Sequence, residues 1–358
     1  MNYYLPTRVI FKKSIIKDIE VVDKTLIIIS NSVEKTGVSK LIKDANPGKE
    51  IYVYVGVKQD PDDEAIIDII SKYRHLDIKM VIGIGGGSVL DTAKVVACLL
   101  DNDDDLNDYF NGKKFKRNLK LALVPTTAGT ASEVTSVSVI AQNKQKKSFV
   151  QDELYPDVAY VDPSLTYSMP PRVIANTGMD AFAHAIESYW NKNGNPISDI
   201  MAIKSLKLII ENIEKSFNGD LDAKDEMMFA SLLAGYAFSQ TMTTSAHALS
   251  YSLSKRFELR HGEACAISLP SFIRLAENEK MATLVKELGF NSLDELANKV
   301  TSLLNNLKMP TKLALSEEMR RDILVEKKMY QGRYDLFPND LSDDVLYNVL
   351  KDISEEDL

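Results

Sequence analysis

The sequence predicts an α/β domain built on a parallel sheet, followed by an all-α domain. Up to about residue 165, short apolar runs alternate with segments of helical length, which is the βαβα pattern of a parallel sheet with helices on both faces. From Pro171 onward, apolar residues recur at helical spacing and strand patterns almost disappear. The change falls near Asp162, Pro163 and Ser164, so we predict domains at 1–165 and 166–358.

Each predicted strand is a short run rich in β-branched residues. Continuous apolar runs of this kind suit strands that are buried on both faces of a sheet. The predicted strands span 25–30, 51–55, 80–84, 120–124 and 157–161, with helices between them such as 62–73 and 89–100. In the second domain, the predicted helices span 172–190, 198–216, 225–241, 245–257 and 263–277.

Composition narrows the classes of partner. The chain has 358 residues and a formal net charge of −8, which argues against nucleic-acid binding because such proteins present a basic face. The start of the chain lacks the features of a signal peptide, and no apolar run reaches the length of a membrane span. Cys98 and Cys265 lie among apolar residues and are predicted to be buried thiols of a reducing compartment. We therefore expect a cytoplasmic protein without nucleic-acid or membrane partners.

A glycine-rich turn follows the strand at 80–84 and opens a helix. Gly85, Gly86 and Gly87 would let backbone N–H groups approach an anion, and the start of the helix adds partial positive charge. Ser88 stands where a hydroxyl could cap the helix or bind phosphate. The turn predicts a phosphate site, for the pyrophosphate of a dinucleotide or for a sugar phosphate; the alternative is a flexible turn without a ligand.

A loop rich in hydroxyl side chains follows the strand at 120–124. It contains Thr126, Thr127, Thr130 and Thr135. Open α/β sheets bind ligands beyond the carboxyl ends of their strands. Together with the glycine turn, this loop is predicted to form a second wall of one nucleotide cleft, whereas in isolation it would be an ordinary threonine-rich loop.

The second domain carries a candidate metal site. Asp180 and His184 are four residues apart, so on a helix they project from one face, one turn above the other. His247 and His261 lie in the same domain, while His75 is predicted to be a surface residue. A carboxylate grouped with imidazoles suits Fe(II) or Zn(II). The alternatives are a surface hydrogen bond between Asp180 and His184, and histidines that are ordinary core residues.

Five stretches combine these motifs in a specific order and spacing. They are 85–94 (GGGSVLDTAK), 125–135 (PTTAGTASEVT), 162–170 (DPSLTYSMP), 177–187 (TGMDAFAHAIE) and 246–262 (AHALSYSLSKRFELRHG). In content, order and spacing the chain resembles the iron-containing (group III) alcohol dehydrogenases over essentially its whole length.

The resemblance implies a Rossmann-like dinucleotide-binding domain at 1–165 and an all-helical, metal-binding catalytic domain at 166–358, in the dehydroquinate synthase-like architecture, with the active site in the cleft between them. It implies a homodimer that transfers hydride between NAD(P)(H) and a small primary alcohol or aldehyde. The implied ligands of Fe(II), with Zn(II) also compatible, are Asp180, His184, His247 and His261. The implied cofactor-binding residues are Gly85, Gly86, Gly87, Ser88, Asp91, Thr126, Thr127, Thr130, Thr135 and Lys146.

Two departures from the family pattern concern chemistry. Tyr251 stands where many relatives carry a further histidine, so the proton is expected to travel through its hydroxyl or through water. After the strand at 25–30, many NAD-dependent relatives carry an aspartate that repels a 2′-phosphate. Here the residues are Ser30, Asn31 and Ser32, so NADP(H) is favoured, NAD(H) is admissible, and Asn31 is placed beside the cofactor.

A third departure concerns the substrate. The stretch 332–339 (GRYDLFPN) does not match the corresponding segment of the commonest relatives. The motif around His247 is similar to that of a subgroup with phosphonoacetaldehyde reductases, for which Arg256 and Arg260 are candidate phosphonate-binding residues. Alternatives of other classes are a dehydroquinate synthase-like lyase and a nucleotide-binding protein without catalysis. The Asp-His-His-His set argues against both.

Overall fold

The fold was analysed in a computed structural model that describes residues 3–59, 61–142 and 145–355. The chain divides into two compact units between Ser168 and Met169, and Tyr3 belongs to the second unit. Within the described residues, none of the helices combines the length and apolarity that a membrane crossing requires.

The first unit is built on a sheet of six parallel strands. All five predicted strands are confirmed, and two features were missed: the short edge strand β1 and an antiparallel hairpin of β6 and β7. The hairpin was not predicted because β7 (QKKSFV) is largely polar and lacks the apolar run by which the other strands were identified. The strands are β1 (Arg8–Phe11), β2 (Thr25–Ile29), β3 (Ile51–Val55), β4 (Met80–Gly85), β5 (Lys120–Pro125), β6 (Val137–Gln142), β7 (Gln145–Val150) and β8 (Val158–Val161). The sheet order is β1-β8-β5-β4-β2-β3.

Helices cover both faces of this sheet. Because successive strand residues point to opposite faces, Leu26 and Ile28 of β2 join one apolar cluster while Ile27 and Ile29 join the other. All four side chains are fully buried, as the continuous apolar run predicted. The helices are α1 (Asn31–Glu34), α2 (Val38–Ala45), α3 (Asp63–Tyr73), α4 (Gly87–Leu100) and α5 (Leu106–Phe110).

The second unit is helical, as predicted. Its central helix is α6, which is buried almost continuously from Ile174 to Trp190 and packs against α7, α8, α9 and α10. The helices are α6 (Pro171–Trp190), α7 (Pro196–Phe217), α8 (Leu221–Thr241), α9 (Ser245–Phe257), α10 (His261–Ala266), α11 (Leu269–Leu275), α12 (Glu279–Glu287), α13 (Leu293–Asn306), α14 (Glu317–Glu326), α15 (Gln331–Tyr334) and α16 (Asp343–Asp352).

One helix prediction was wrong. The segment 263–277 was expected to be a single helix, but it forms α10 and α11. Pro270 lies in the first turn of α11, where its missing N–H costs nothing. In the interior of one continuous helix the same proline would remove a hydrogen bond and clash with the preceding turn.

Candidate metal centre and nucleotide site

Three helices of the second unit bring the four predicted metal ligands together. Asp180 and His184 lie on α6, His247 lies in the first turn of α9, and His261 begins α10. The Oδ1 atom of Asp180 is 3.6 Å from Nε2 of His247 and 3.6 Å from Nε2 of His261. The Nε2 atoms of His184 and His247 are 3.1 Å apart. A carboxylate oxygen and imidazole nitrogens therefore converge on one small volume.

The burial of these side chains distinguishes a metal site from a hydrogen bond on the surface. The side chains of Asp180, His184 and His247 are 4%, 7% and 4% exposed, so a hydrogen bond on the surface does not describe them. The His261 side chain is 35% exposed, so the cluster is reached by solvent from its side.

The donor atoms fit a bound cation. Among the described residues, Asp180 Oδ1 and His184 Nδ1 are buried without any hydrogen-bond partner. Leaving a buried polar atom unsatisfied costs about 1–3 kcal/mol, and more when the group is charged. A metal ion held beside Asp180 would satisfy its carboxylate, and Fe(II) and Zn(II) both accept one carboxylate with imidazoles.

Two of the four proposed ligands, His184 and Asp180, have the protonation state that metal binding needs. Burial lowers the pKa of His184 to about 4, so its imidazole is neutral, as a ligand must be. Burial raises the pKa of the Asp180 carboxyl, but the electrostatic and hydrogen-bonding interactions with His184, His261 and His247 outweigh it and hold that pKa below its usual value. The aspartate is therefore ionised.

Glu187 is a functional residue that the sequence interpretation missed. It is fully buried behind His247, and its Oε2 contacts Nδ1 of that ring. Its Oε1 accepts hydrogen bonds from Thr244 N at 3.1 Å and from Ala246 N at 2.8 Å. A carboxylate on Nδ1 fixes the ring with Nε2 toward the cluster. The available signal was spacing, because Glu187 follows His184 by three residues on the same face of α6.

Cys265 is a second residue near the cluster that was assigned no function. Ligand-capable atoms of Asp180, His247, His261 and Cys265 all lie within 4.8 Å of one another. Its Sγ is 3.8 Å from Nε2 of His261. Burial raises the pKa of the thiol, but His247 and His261 outweigh this and lower it to about 7. The thiol follows His261 by four residues, so helical spacing could have revealed this contact.

Tyr251 lies one turn after His247 on α9. Its ring is half-buried and stacks on Tyr330, with the ring centroids 5.0 Å apart. Arg256, a candidate phosphonate ligand, instead forms a two-pronged ion pair with Glu326, with N–O distances of 2.9 and 3.0 Å. Arg260 is the residue that precedes α10.

In the first unit, the carboxyl ends of three neighbouring strands assemble most of the predicted nucleotide residues. Strands β2, β4 and β5 are adjacent and parallel, so their carboxyl ends meet at one edge. Asn31 follows β2, the turn from Gly85 to Ser88 follows β4, and the loop with Thr126, Thr127 and Thr130 follows β5. Ligands of open α/β sheets bind at such an edge.

The glycine turn and the threonine loop are in direct contact. A Cβ atom on Gly87 would lie 2.7 Å from Cγ2 of Thr130, and one on Gly86 would lie 3.3 Å from Oγ1 of Thr127. Thr126 N donates to Gly85 O at 2.9 Å. Gly86 is the N-cap of α4, and no side chain caps the start of this helix. Val89 N and Leu90 N donate to Gly86 O, which leaves the N–H groups of Gly87 and Ser88 as the candidates to meet an anion.

Three other predicted cofactor residues have different surroundings. Asp91 accepts hydrogen bonds from Ser132 Oγ at 2.6 Å and Val139 N at 2.9 Å, which joins α4 to the hairpin. Thr135 is buried and accepts a hydrogen bond from Lys94 Nζ at 3.2 Å. Lys146 lies exposed on β7 opposite Ala141. The side chains of Asp91 and Thr135 are thus engaged within the protein.

Comparison with known proteins matches both units to one family. Residues 6–163 match the model described as iron-containing alcohol dehydrogenase, and residues 174–326 match that of the Fe-containing alcohol dehydrogenase family, C-terminal. The chain is 41% identical to long-chain-alcohol dehydrogenase 1 of Geobacillus thermodenitrificans over 68% of its own length and 64% of that protein, which is just under two thirds. It is 34% identical to the NADPH-dependent butanol dehydrogenase of Clostridium saccharobutylicum, over 74% of this chain and 72% of that one.

A solved structure is similar over nearly the whole fold. It is the crystal structure of sulfoacetaldehyde reductase from Bifidobacterium kashiwanohense in complex with NAD+. The TM-score is 0.93 with 30% sequence identity, and the match covers 99% of each chain.

Proposed function

Because the chain belongs to the iron-containing alcohol dehydrogenase family, we propose that it interconverts a small aldehyde and the corresponding primary alcohol with a nicotinamide cofactor. The observation that supports this most directly is the buried cluster of Asp180, His184, His247 and His261, in which Asp180 Oδ1 has no hydrogen-bond partner among the described residues. The relatives named above act on substrates with very different tails, so the comparisons leave the tail of this substrate open.

We propose that Asp180, His184, His247 and His261 hold Fe(II), with Zn(II) as a compatible substitute. When bound, the metal would polarise the carbonyl oxygen as a Lewis acid and the reduced nicotinamide would supply the hydride to the carbonyl carbon, while the oxygen takes up one proton. Asp180 is the only anionic member of the set, so its charge tunes the positive charge left for the carbonyl. Glu187 holds the His247 ring in a fixed orientation.

Tyr251 is proposed to pass the proton, directly or through water. It lies one helical turn from His247, and stacking on Tyr330 limits the rotation of its ring.

The cofactor is proposed to bind at the carboxyl edge of β2, β4 and β5. The pyrophosphate would meet the glycine turn and the start of α4, with Thr127 and Thr130 beside it. NADP(H) is favoured over NAD(H), because Ser30, Asn31 and Ser32 bring no carboxylate to the end of β2. A cytoplasmic homodimer is proposed from the family resemblance, and the two free cysteines fit a reducing compartment.

The test is metal-dependent oxidation of NADPH or NADH by a panel of short neutral aldehydes, followed by the absorbance of the reduced cofactor. Metal-stripped protein should be inactive and should recover with Fe(II) or Zn(II). His261→Ala should lose both metal and turnover while keeping its affinity for NADPH. Full turnover by metal-free His261→Ala, or no turnover of any aldehyde by reloaded protein, would show that the proposal is wrong.

Cys265→Ser is the matched control for the ligand set. Its Sγ lies within 4.8 Å of ligand-capable atoms of Asp180, His247 and His261, but it is not one of the four proposed ligands. Metal content measured by mass spectrometry should stay near that of the wild type. If Cys265→Ser lost metal as completely as His261→Ala, the thiol would have to be counted as a ligand.

A further inference from the structure

A second polar feature lies beside the metal centre. Arg333, on α15, contacts two residues that flank His247 along the chain, one just before α9 and one on it. Its Nη1 contacts Oγ1 of Thr243, four residues before His247, and its guanidinium carbon is 5.8 Å from the ring centroid of Tyr251, four residues after it. Tyr251, one helical turn after His247, lies on the face of α9 that carries His247, and Thr243 lies two residues before the start of that helix. The guanidinium therefore lies alongside the proposed reaction centre.

The charge of Arg333 is not neutralised by an acid. Within the part of the chain that the structure describes, Arg333 contacts the hydroxyl of Thr243 and the ring face of Tyr251, interacts electrostatically with Tyr330, and forms no ion pair. Arg256, on the same helix as Tyr251, is different because Glu326 pairs with it through both oxygens. A guanidinium has five N–H donors, and among the described residues only one donor of Arg333 meets an acceptor.

The surroundings also fix where the guanidinium lies. Tyr251 stacks on Tyr330, and the adjoining Tyr334 is buried, with Glu187 among the charges that act on its phenol. The segment 330–334 thus packs against the same elements that orient His247. Arg333 is half-buried, so it keeps access to a small molecule while its position is set by Thr243 and Tyr251.

We propose that Arg333 binds an oxyanion group at the far end of the substrate, so that the preferred substrate is a short aldehyde with a sulfonate or phosphonate tail. Guanidinium is the group best matched to such anions, because two parallel N–H donors meet two oxygens. The chemical step is unchanged, with hydride to the carbonyl carbon and a proton to its oxygen. Arg333 acts on specificity. The inference rests on the proposed reductase activity.

The test compares catalytic efficiency for charged and neutral aldehydes of similar size. The kcat/KM of metal-loaded enzyme would be measured for sulfoacetaldehyde, phosphonoacetaldehyde and propanal, at constant ionic strength. Losing a charge-assisted contact should lower the ratio of charged to neutral kcat/KM about 10- to 100-fold in Arg333→Gln. Arg256→Gln, the matched control, should leave the ratio near that of the wild type. The charged aldehyde whose ratio falls more in Arg333→Gln shows whether the subsite prefers sulfonate or phosphonate.

Two further measurements guard against a merely structural effect. Arg333→Lys keeps the positive charge but not the two parallel N–H donors. It should therefore recover part of the ratio of charged to neutral kcat/KM that Arg333→Gln loses. Calorimetry with ethanesulfonate, which has no carbonyl, should detect binding to the metal- and NADP+-loaded wild type and not to Arg333→Gln. A lysine variant no better than the glutamine variant, or ethanesulfonate binding that survives Arg333→Gln, would overturn the proposal.

Failure of this inference is distinct from failure of the proposed function. If propanal is reduced but the ratio of charged to neutral kcat/KM is the same in wild type and Arg333→Gln, only the anion subsite is refuted. If no aldehyde is reduced by the metal-loaded wild type, the reductase activity itself is refuted and the subsite falls with it.

Discussion

At the scale of single residues, the orientation of His247 depends on Glu187. One carboxylate oxygen contacts the ring nitrogen that faces away from the cluster, and the other accepts hydrogen bonds from the backbone at the start of α9. Glu187 therefore holds both the imidazole and the helix end that carries it. Its role is to position the ligand, since it does not face the open side of the cluster.

Glu187→Gln should weaken metal binding. The amide keeps the size of the side chain but replaces one acceptor oxygen by a donor, so either the contact with His247 Nδ1 or the backbone contacts are lost. Loss of such a supporting hydrogen bond typically lowers metal affinity about 10- to 100-fold. Competition with a chromophoric chelator measures it. Glu214→Gln is the control, because Glu214 contacts Lys299 and Asn306 on the surface. Equal affinity in wild type and Glu187→Gln would contradict this role.

The sequence alone placed functional candidates side by side where the signal was local. Asp180 and His184 were paired by helical spacing alone, and the structure brings His247 and His261 to them. Glu187 and Cys265 were missed, although each lies three or four residues from a predicted ligand. Their roles depend on which face of one helix meets another helix, and a single sequence does not report that.

At the scale of elements, the position of α10 depends on its contact with α6. Gly262 directly follows His261, and a Cβ atom there would lie 1.9 Å from the carbonyl oxygen of Asn176. That oxygen belongs to the backbone of α6 and has no rotamer to which it can move. The absence of a side chain at Gly262 is what allows His261 to approach Asp180.

Gly262→Ala should separate α10 from α6 and displace His261. Overpacking of a core commonly costs about 1–3 kcal/mol, and a backbone obstacle puts this variant at the upper end or beyond. We expect lower thermal stability together with loss of bound metal. Gly332→Ala is the control, because a Cβ atom there meets nothing within 4 Å. If Gly262→Ala retained full metal content at wild-type stability, the close approach of the two helices would not matter.

The ends of strands and helices were predictable where turn-forming residues flank them. The strand at 80–84 and the helix at 245–257 were placed within one residue of the observed ends, because glycines or loop residues flank them. The hairpin of β6 and β7 was not predicted. Its polar second strand is held by pairing with β6 and by the hydrogen bond from Val139 N to Asp91, which are tertiary interactions.

At the scale of the whole molecule, the residues proposed to bind the metal and those proposed to bind the cofactor lie in different units. The metal residues all lie after Met169, and the glycine turn and threonine loop lie before it. A ligand stabilises the structure it binds by about 2.7 kcal/mol at a concentration 100 times its Kd. Each ligand should therefore protect its own unit first.

Hydrogen exchange followed by mass spectrometry tests this expectation. Adding Zn(II) to stripped protein should slow exchange in peptides from α6, α9 and α10, and a chelator should reverse the effect. NADPH should slow exchange in the peptide that joins β4 to α4. Protection by Zn(II) that was as large around β4 as around α6 would show that the two units respond as one cooperative body.

The sequence by itself determined the parallel sheet, the helical second half and the set of proposed metal ligands. The sheet and the helices are read from hydrophobic period and turn residues, and the pairing of Asp180 with His184 from i,i+4 spacing, all of which act over a few residues. His247 and His261 were added because they lie in the same domain and match the motifs of the family. Only the tertiary structure decided which groups surround that set. Glu187 meets His247 across 60 residues of chain, and Arg333 meets Thr243 across 90. Such contacts depend on how amphipathic helices pack, and many packings satisfy the same local pattern. The proposed anion subsite is therefore a property of the fold.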